Sequence, residues 1–249
     1  MLTRAFDAVL CDVDGVIRFF DGDRVAALER AAGLGEGSTA AIGFAPENDL
    51  PLLLGRIGKA EWVDSIARGL AGRVTRARAR GLAEAFADSP FRADEVVVGL
   101  LRRAREHCRV VLVTNATVWL DEDLALLGLT DLADEVVNSS RVGSAKPDRR
   151  IYEIAVERAG VAPERCLFVD DRQENVDAAV AMGMTGVRYR GPEDLRRALA
   201  PVLDRSVVQA MQTEREIVAG LSDEPLGGVR VWVAGGGVGG EDRGDRADP

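Results

Sequence analysis

Residues 8–15 read AVLCDVDG, and this stretch decides the fold. A short apolar run is followed by two carboxylates, Asp12 and Asp14, and then by Gly15. The run is typical of a buried strand, and side chains two residues apart on a strand lie on the same face. Ligand sites of open α/β sheets form beyond the carboxyl ends of the strands. The stretch therefore predicts either a strand that carries two carboxylates into a site or a core strand that ends in an ordinary turn.

Two further apolar runs end in small polar or acidic residues, which favours the first alternative. Residues 110–113 (VVLV) precede Thr114-Asn115, and residues 166–169 (CLFV) precede Asp170-Asp171. Such runs are typical of parallel strands that deliver side chains to one edge of a sheet. Lys146-Pro147 lies between the two runs in the sequence and supplies the cation that such an acidic cluster needs.

Four stretches in this order resemble the motifs of the haloacid dehalogenase (HAD) superfamily of hydrolases. From the first motif to the fourth they are Asp12-Val13-Asp14-Gly15-Val16, Thr114-Asn115, Lys146-Pro147 and Asp170-Asp171. The resemblance covers roughly residues 5–200 and implies an α/β fold, with a doubly wound parallel sheet in a Rossmann-like core and a small helical cap domain. The residue pattern agrees with this fold, because it predicts strands in alternation with helices, the helices at 93–107, 120–127, 148–159 and 175–182 and the further strands at 135–137 and 186–189.

An insertion separates the first two motifs. After Gly15 the next core strand is expected only at Val110, whereas a parallel crossover needs just a dozen or more residues. Much of the insertion has apolar residues at helical spacing, and the resemblance identifies it as a cap that closes over the site. The predicted domains are a core at residues 1–16 and 90–202, a helical cap at 17–89 and a C-terminal extension at 203–249.

The C-terminal extension differs in composition from the rest of the chain. Residues 204–220 are compatible with one more amphipathic helix, and residues 229–233 with a strand. A glycine-rich segment at 235–240 is followed by mixed charges. We expect the extension to be partly disordered, because such segments form no packed core.

Composition and charge exclude several classes of partner. The formal net charge of -9 and the pI near 4.9 argue against nucleic acid, which requires a basic face. The three cysteines are an odd number and favour a reduced protein over a disulfide scaffold. The sequence contains no signal-peptide pattern and no run of about 18 apolar residues. We therefore expect a cytoplasmic protein with no nucleic-acid or membrane partner.

The acidic residues at the strand ends predict a metal site. Two carboxylates about 4 Å apart repel by about 4 kcal/mol at an effective dielectric constant near 20, so several together require a cation. Mg²⁺ suits a few carboxylates, water and a phosphate oxygen. The resemblance implies that the side chains of Asp12 and Asp171 and the backbone carbonyl of Asp14 hold Mg²⁺, and that Asp170 assists through water.

The same resemblance implies a role for each catalytic position. Asp12 attacks phosphorus and becomes transiently phosphorylated, and Asp14 serves as general acid and then general base. Thr114 and Asn115 bind the phosphoryl group, to which Lys146 supplies positive charge. Thr114 is also compatible with a helix cap, and Lys146 with a residue that precedes a helix.

Several other polar residues have two readings. Asn175 is either an ordinary residue of a helix N-terminus or a group that orients Lys146 or the metal ligands. Arg18, Arg56 and Lys59 lie in or next to the cap and are either solvated cations or contacts for an anionic substrate. We expect a structural or solvated role for His107, the only histidine, because it is far from the other motifs.

The predicted function is a Mg²⁺-dependent phosphatase that acts on a small phosphorylated metabolite. A phosphomutase would use the same phosphorylated aspartate but return the phosphate to its substrate. A 2-haloacid dehalogenase would use the nucleophile without metal, and Asp14 and Asp170-Asp171 argue against it. A non-catalytic binding module is the fourth reading, because fold does not determine function.

Overall fold

The computed structural model describes residues 6–203 and 231–232. The strands of this part of the chain are β1 (Ala8–Cys11), β2 (Arg18–Asp21), β3 (Phe91–Ala93), β4 (Arg109–Thr114), β5 (Glu135–Asn138), β6 (Cys166–Asp170), β7 (Thr185–Arg188) and β8 (Val231–Trp232). The helices are α1 (Asp23–Ala31), α2 (Ser38–Gly43), α3 (Pro46–Leu53), α4 (Lys59–Gly69), α5 (Arg76–Ala87), α6 (Glu95–Arg105), α7 (Leu120–Leu126), α8 (Ser139–Val142), α9 (Arg149–Ala159), α10 (Gln173–Ala181) and α11 (Pro192–Leu199), with a 3₁₀ turn at Pro163–Arg165.

Five parallel strands form the main sheet in the order β5-β4-β1-β6-β7. The central strand β1 is buried along its whole length, and its Val9 lies opposite Val110 on one side and Leu167 on the other. The sequences of buried parallel strands are continuous apolar runs, and this pattern predicts the three central strands β1, β4 and β6.

Helices cover both faces of this sheet. Side chains alternate along β1, so that Val9 and Cys11 join one hydrophobic cluster and Ala8 and Leu10 join the other. Helices α6, α7 and α11 contribute to the first cluster, and α9 and α10 contribute to the second. The predicted doubly wound α/β sheet is therefore confirmed.

Helix ends follow the polar residues of the sequence. Asp94 accepts hydrogen bonds from the N–H groups of Val96 and Val97 and caps α6, and Asp148 caps α9 in the same manner. The sequence placed these two helices from residues 93 and 148, which differs from the structure only by the capping turn. None of the described helices has both the length and the hydrophobicity that a bilayer crossing requires.

Five helices, α1 to α5, lie between β2 and β3 and share a hydrophobic cluster of their own. Its members from α4 and α5 include Trp62, Ile66, Leu82 and Phe86. The insertion contacts the core beside α8, where Ser139 Oγ donates a hydrogen bond to a backbone carbonyl of α3 at 2.6 Å. The helical character expected of the insertion is therefore present, and the helices α2 and α3 are additions to the sequence prediction.

A small antiparallel sheet, in the order β3-β2-β8, lies at the base of the insertion. The sequence did not predict β2 and β3, which are only four and three residues long. The strand expected within residues 229–233 is present as β8. The predicted helix at 204–220 and the glycine-rich segment at 235–240 lie outside the described residues.

Candidate functional site

The carboxyl ends of the three central strands bring the predicted motifs together. Asp12 follows β1 directly, Thr114 is the last residue of β4, and Asp170 is the last residue of β6. Gly15 has a φ of 81°, a left-handed conformation that glycine adopts at little cost, so the chain turns sharply after Asp14. The segment therefore forms an ordinary glycine turn and at the same time carries carboxylates to the sheet edge.

Lys146 is the centre of the ion pairs at this edge. Its side chain is 1% exposed, and Nζ lies 2.8 Å from Asp12 Oδ1 and 2.7 Å from Asp170 Oδ2. Nζ also donates a hydrogen bond to the Val113 carbonyl oxygen at 2.8 Å, so that all three ammonium hydrogens have partners. Burial by itself lowers the pKa of Lys146, but the attraction of Asp12 and Asp170 outweighs burial and the pKa is raised. Lys146 therefore remains a cation that joins the ends of β1, β4 and β6.

Asn115 fixes the backbone of Lys146. Its Oδ1 accepts a hydrogen bond from the Lys146 N–H at 2.7 Å, and its Nδ2 donates one to the Lys146 carbonyl oxygen at 2.9 Å. The next peptide bond, Lys146-Pro147, is cis. The side chain predicted to bind phosphate is thus engaged in holding the lysine.

Thr114 differs from Asn115 in this respect. Its side chain is fully buried, and Oγ1 has no hydrogen-bond partner within the described residues. Buried hydroxyl groups nearly always have a partner, so an unpartnered one at a strand end is a group that a ligand can satisfy.

Both carboxylate oxygens of Asp170 are held in place. Oδ1 accepts hydrogen bonds from the Arg172 N–H and from Asn175 Nδ2, each at 2.9 Å, and Oδ2 accepts from Lys146. Asn175 is 2% exposed and lies in the first turn of α10. Of its two readings, the orienting one matches these contacts, because Asn175 fixes Asp170 and thereby Lys146.

Asp12, Asp170 and Asp171 form a cluster that fits a divalent cation. One oxygen of each lies within 4.8 Å of the others. Burial, opposed by Lys146, raises the pKa of Asp12 well above its ordinary value, and burial followed by the charge of Asp170 raises the pKa of Asp171 to about 6. When all three carboxylates are ionised, the single ammonium of Lys146 leaves two negative charges unbalanced. Hard oxygen donors with this charge suit Mg²⁺.

The Asp14 side chain is not part of this oxygen cluster, because Arg18 binds it. Arg18 Nε and Nη2 donate hydrogen bonds to the two Asp14 oxygens at 2.6 and 2.9 Å, and Nη1 donates to Asp123 Oδ2 at 2.6 Å. The rings of Phe20 and Phe91 lie 4.9 and 5.4 Å from the guanidinium carbon. Arg18 is only 4% exposed, so the solvated reading of this residue was wrong. The implied metal contact of Asp14 concerns its backbone carbonyl and stays a prediction.

Three other residues singled out in the sequence, Arg56, Lys59 and His107, take no part in the ion cluster. Arg56 is exposed, and the exposed Lys59 pairs with Asp88. His107 is half-buried just before β4, at the opposite end of that strand from Thr114. All three cysteines are buried free thiols.

A cavity of about 600 Å³ opens between the sheet edge and the insertion. It begins at Asp14 and Asn115 and includes residues of α3, α4, α5 and α7. Its aromatic lining residues are Phe20, Phe44, Trp62, Phe86, Phe91 and Trp119.

Asp123 and Asp49 are two polar residues of this region that the sequence analysis missed. Asp123 binds Arg18 from 105 residues away, and Asp49 lines the cavity from α3. No local signal distinguishes either from an exposed acidic residue of a helix. Arg18 has a signal in its place four residues after Asp14, within reach across the turn at Gly15.

The comparison with protein families agrees with the site. A family model described as haloacid dehalogenase-like hydrolase matches residues 6–183. Among curated proteins, a phosphatase from Mycobacterium tuberculosis is 37% identical over 82 residues, which are 32% of this chain and 38% of that protein. The chain spans about two fifths of the length of the first curated relatives that it matches.

Solved structures share the fold. A HAD family enzyme from Bacteroides thetaiotaomicron, in complex with magnesium and inorganic phosphate, is 21% identical with a TM-score of 0.57, over 72% of this chain and 92% of that one. The L-2-haloacid dehalogenase from Xanthobacter autotrophicus, with chloropropionic acid covalently bound, is 23% identical with a TM-score of 0.54, over 83% and 88%. These identities establish a common fold alone. Since the family model covers well over half of the sequence, the chain belongs to the haloacid dehalogenase-like hydrolase family.

Proposed function

We propose that the protein is a Mg²⁺-dependent phosphatase that hydrolyses a small phosphorylated metabolite through a phosphorylated Asp12. The observation that carries this proposal is the cluster of Asp12, Asp170 and Asp171, in which the buried Asp12 and Asp170 pair with the Lys146 ammonium. Membership of a hydrolase family and similarity to a curated phosphatase support it. The magnesium and phosphate in the complex of the Bacteroides enzyme support the choice of metal.

Asp12, Asp171 and the backbone carbonyl of Asp14 would hold Mg²⁺. Asp170 would assist through water, since Asn175, Lys146 and a backbone N–H already engage both of its oxygens. The bound cation would balance the remaining negative charge of the cluster and draw a phosphate oxygen towards Asp12.

Asp12 would act through its Oδ2 atom. Its Oδ1 is already fixed, because Oδ1 accepts a hydrogen bond from the Val13 N–H at 2.7 Å and contacts Lys146. Attack of Oδ2 on phosphorus forms an acyl-phosphate bond while the bond from phosphorus to the ester oxygen breaks. The departing alkoxide takes a proton from Asp14, which Arg18 orients at the start of the cavity.

Water then completes the cycle. Asp14, now anionic, takes a proton from a water molecule whose oxygen attacks phosphorus, and the Asp12 carboxylate leaves. Lys146 stabilises the charge on the transferring group, and the Thr114 hydroxyl donates to one of its oxygens. Residues 17–89 would act as the cap, which excludes bulk water and contacts the leaving group.

Hydrolysis of 4-nitrophenyl phosphate tests this function. We expect phosphate release that requires Mg²⁺, stops with a chelator and returns when Mg²⁺ is restored. Asp12→Asn removes the nucleophile and should lower kcat by about 10³-fold or more. Asp177→Asn is the matched control, since Asp177 is an exposed carboxylate of α10.

Two alternatives predict different products. Transfer of phosphate between bisphosphorylated sugars without net phosphate release would identify a phosphomutase. Halide release from a 2-haloacid without Mg²⁺ would identify a dehalogenase. Either result, or an Asp12→Asn variant as active as the natural protein, would refute the proposed function.

A further inference from the structure

The cavity beside Asp14 is larger than a phosphate group requires. Its volume of about 600 Å³ lies within the range of cavities that enclose whole small-molecule ligands. Since Asp14 and Asn115 border it, a molecule whose ester oxygen reaches Asp14 can place its remaining atoms in this space. The lining of the cavity therefore carries information about the leaving group.

Aromatic and aliphatic side chains dominate this lining. The chain has twelve aromatic residues, and six of those in the described part border the cavity. Phe20 and Phe91 stack edge to face at 5.7 Å near Asp14, and Trp62 and Phe86 lie 5.6 Å apart in the insertion. Leu126 adds an apolar side chain that is 79% exposed. Such a lining favours a flat apolar body, which buries a large area against aromatic rings.

The cations of the lining have partners already. Arg18 is bound by Asp14 and Asp123, and Lys59 pairs with Asp88. No further lysine or arginine lines the cavity in the described part of the chain. A second phosphate or a carboxylate on the substrate would therefore meet cations whose charge is already balanced by an acidic partner.

Acidic side chains add to this exclusion. Asp49 lines the cavity and has no hydrogen bond or ion pair to any described residue. Arg172 lowers the pKa of Asp49 electrostatically but forms no ion pair with it, and Arg172 itself pairs with Glu174. Glu122 also borders the cavity. An anionic group on the leaving group would be repelled by these two carboxylates.

We propose that the substrate is the phosphate monoester of an aromatic alcohol that carries no second anionic group. This inference rests on the proposed phosphatase function and specifies its substrate class. It follows from an aromatic cavity that begins at the general acid, and from lining cations that are already paired while two acidic side chains are not. Sugar bisphosphates and phosphorylated carboxylic acids are disfavoured by the same geometry.

A matched pair of esters tests whether a second anionic group on the substrate lowers activity. Benzyl phosphate and 4-carboxybenzyl phosphate have similar leaving groups but differ by one negative charge. With the Mg²⁺-loaded protein we expect kcat/KM for benzyl phosphate to be higher by about tenfold or more. Asp49→Asn should lower the ratio of kcat/KM for benzyl phosphate to kcat/KM for 4-carboxybenzyl phosphate. Glu47→Gln, on the exposed face of the same helix, should leave this ratio unchanged.

A second comparison tests the aromatic lining. Trp119→Ala should raise KM for benzyl phosphate by about tenfold, because it removes a large apolar contact, and should change KM for ethyl phosphate much less. Val118→Ala is the neighbouring control, since Val118 is exposed and does not line the cavity. Thermal melting of both variants establishes that each is folded at the assay temperature.

Acetyl phosphate distinguishes a failure of the proposed substrate class from a failure of the proposed phosphatase function. Its leaving group is small and needs little of the cavity. Turnover of acetyl phosphate together with equal kcat/KM for the two benzyl esters would overturn the substrate class and leave the phosphatase function standing. No Mg²⁺-dependent turnover of any of these esters would overturn both.

Discussion

The two lysines of this chain lie in two different electrostatic environments. The side chain of Lys146 is 1% exposed and has three partners at the sheet edge, whereas the side chain of Lys59 is 43% exposed and pairs with Asp88 at the cavity. Buried ion pairs are costly to break because the remaining partner has lost its hydration, and exposed pairs contribute little. We therefore expect substitutions in the ion cluster to reduce stability strongly. Substitutions of residues that line the cavity should change substrate selectivity at a small cost in stability.

Replacement of each lysine by methionine gives the largest expected contrast. Lys146→Met leaves Asp12 and Asp170 without their cation, so we expect a loss of about 3–5 kcal/mol in the free energy of unfolding. We also expect kcat to fall by about 10³-fold because the transferring group loses a positive charge. Lys59→Met should cost less than about 1 kcal/mol.

Denaturant unfolding of the metal-free proteins and single-turnover assays measure these two effects. Equal losses of unfolding free energy in the two variants would contradict the difference between the regions. An active Lys146→Met enzyme would contradict the role of the ammonium in catalysis.

Arg18 connects the two regions, and its replacement should have an intermediate effect. In Arg18→Gln the Asp14 carboxylate loses both fixed hydrogen bonds, so we expect release of benzyl alcohol from benzyl phosphate to slow by about 10- to 100-fold. Acetate leaves without a proton, so the first step with acetyl phosphate should change far less. Arg18→Lys should recover only part of the rate, because an ammonium cannot bind both oxygens in the same plane.

Single-turnover release of the leaving group measures this step. Arg92→Gln, on the exposed side of β3, is the control for a lost arginine. Equal slowing of the first step with both esters would show that Arg18 does not act through the proton of Asp14.

Two carboxyl groups with raised pKa values, one in each region, give a smaller effect that depends on pH. Burial is the main cause in both. It raises the pKa of Asp171 to about 6, although the positive charge of Lys146 lowers that pKa, and it raises the pKa of Asp49 to about 6, although Arg172 lowers it. Protons and Mg²⁺ compete for the Asp171 oxygens, so deprotonation favours the metal. The Mg²⁺ concentration for half-maximal activity should therefore fall about tenfold between pH 5 and pH 7.

Mg²⁺ titrations at several pH values measure this dependence. Asp171→Asn should need more Mg²⁺ and lose the part of the dependence that is centred near pH 6, whereas Asp49→Asn should keep it. If Asp49→Asn, and not Asp171→Asn, removed the pH dependence of the Mg²⁺ requirement, the assignment of this dependence to the ion cluster would be contradicted.

The sequence was informative about the ion cluster because its signals are local. The apolar runs that precede Asp12, Thr114 and Asp170 identify strands, and polar residues at strand ends of a parallel sheet meet at one edge. The contact of Asn175 with Asp170 was open to prediction for the same reason, since the two residues are five positions apart.

The cavity was not predictable in this way. The pairing of Arg18 with Asp123 joins residues 105 positions apart and depends on how α7 is rotated against the turn after β1. The strands β2 and β3 are too short to give an alternating pattern, and Phe20 and Phe91 acquire their role only when these strands pair. Selectivity thus depends on tertiary packing that a single sequence does not specify.

The antiparallel pairing of β2 with β3 has a consequence for how such proteins diversify. Phe20 lies opposite Phe91, so the polypeptide departs from the core and re-enters it on strands about 4.8 Å apart. An insertion whose two ends are paired strands is exchangeable. Its length and sequence can change, or it can be replaced by the insertion of a related protein, while β2 and β3 keep their pairing. New specificities would then arise by replacing this one module, with the reaction chemistry left untouched.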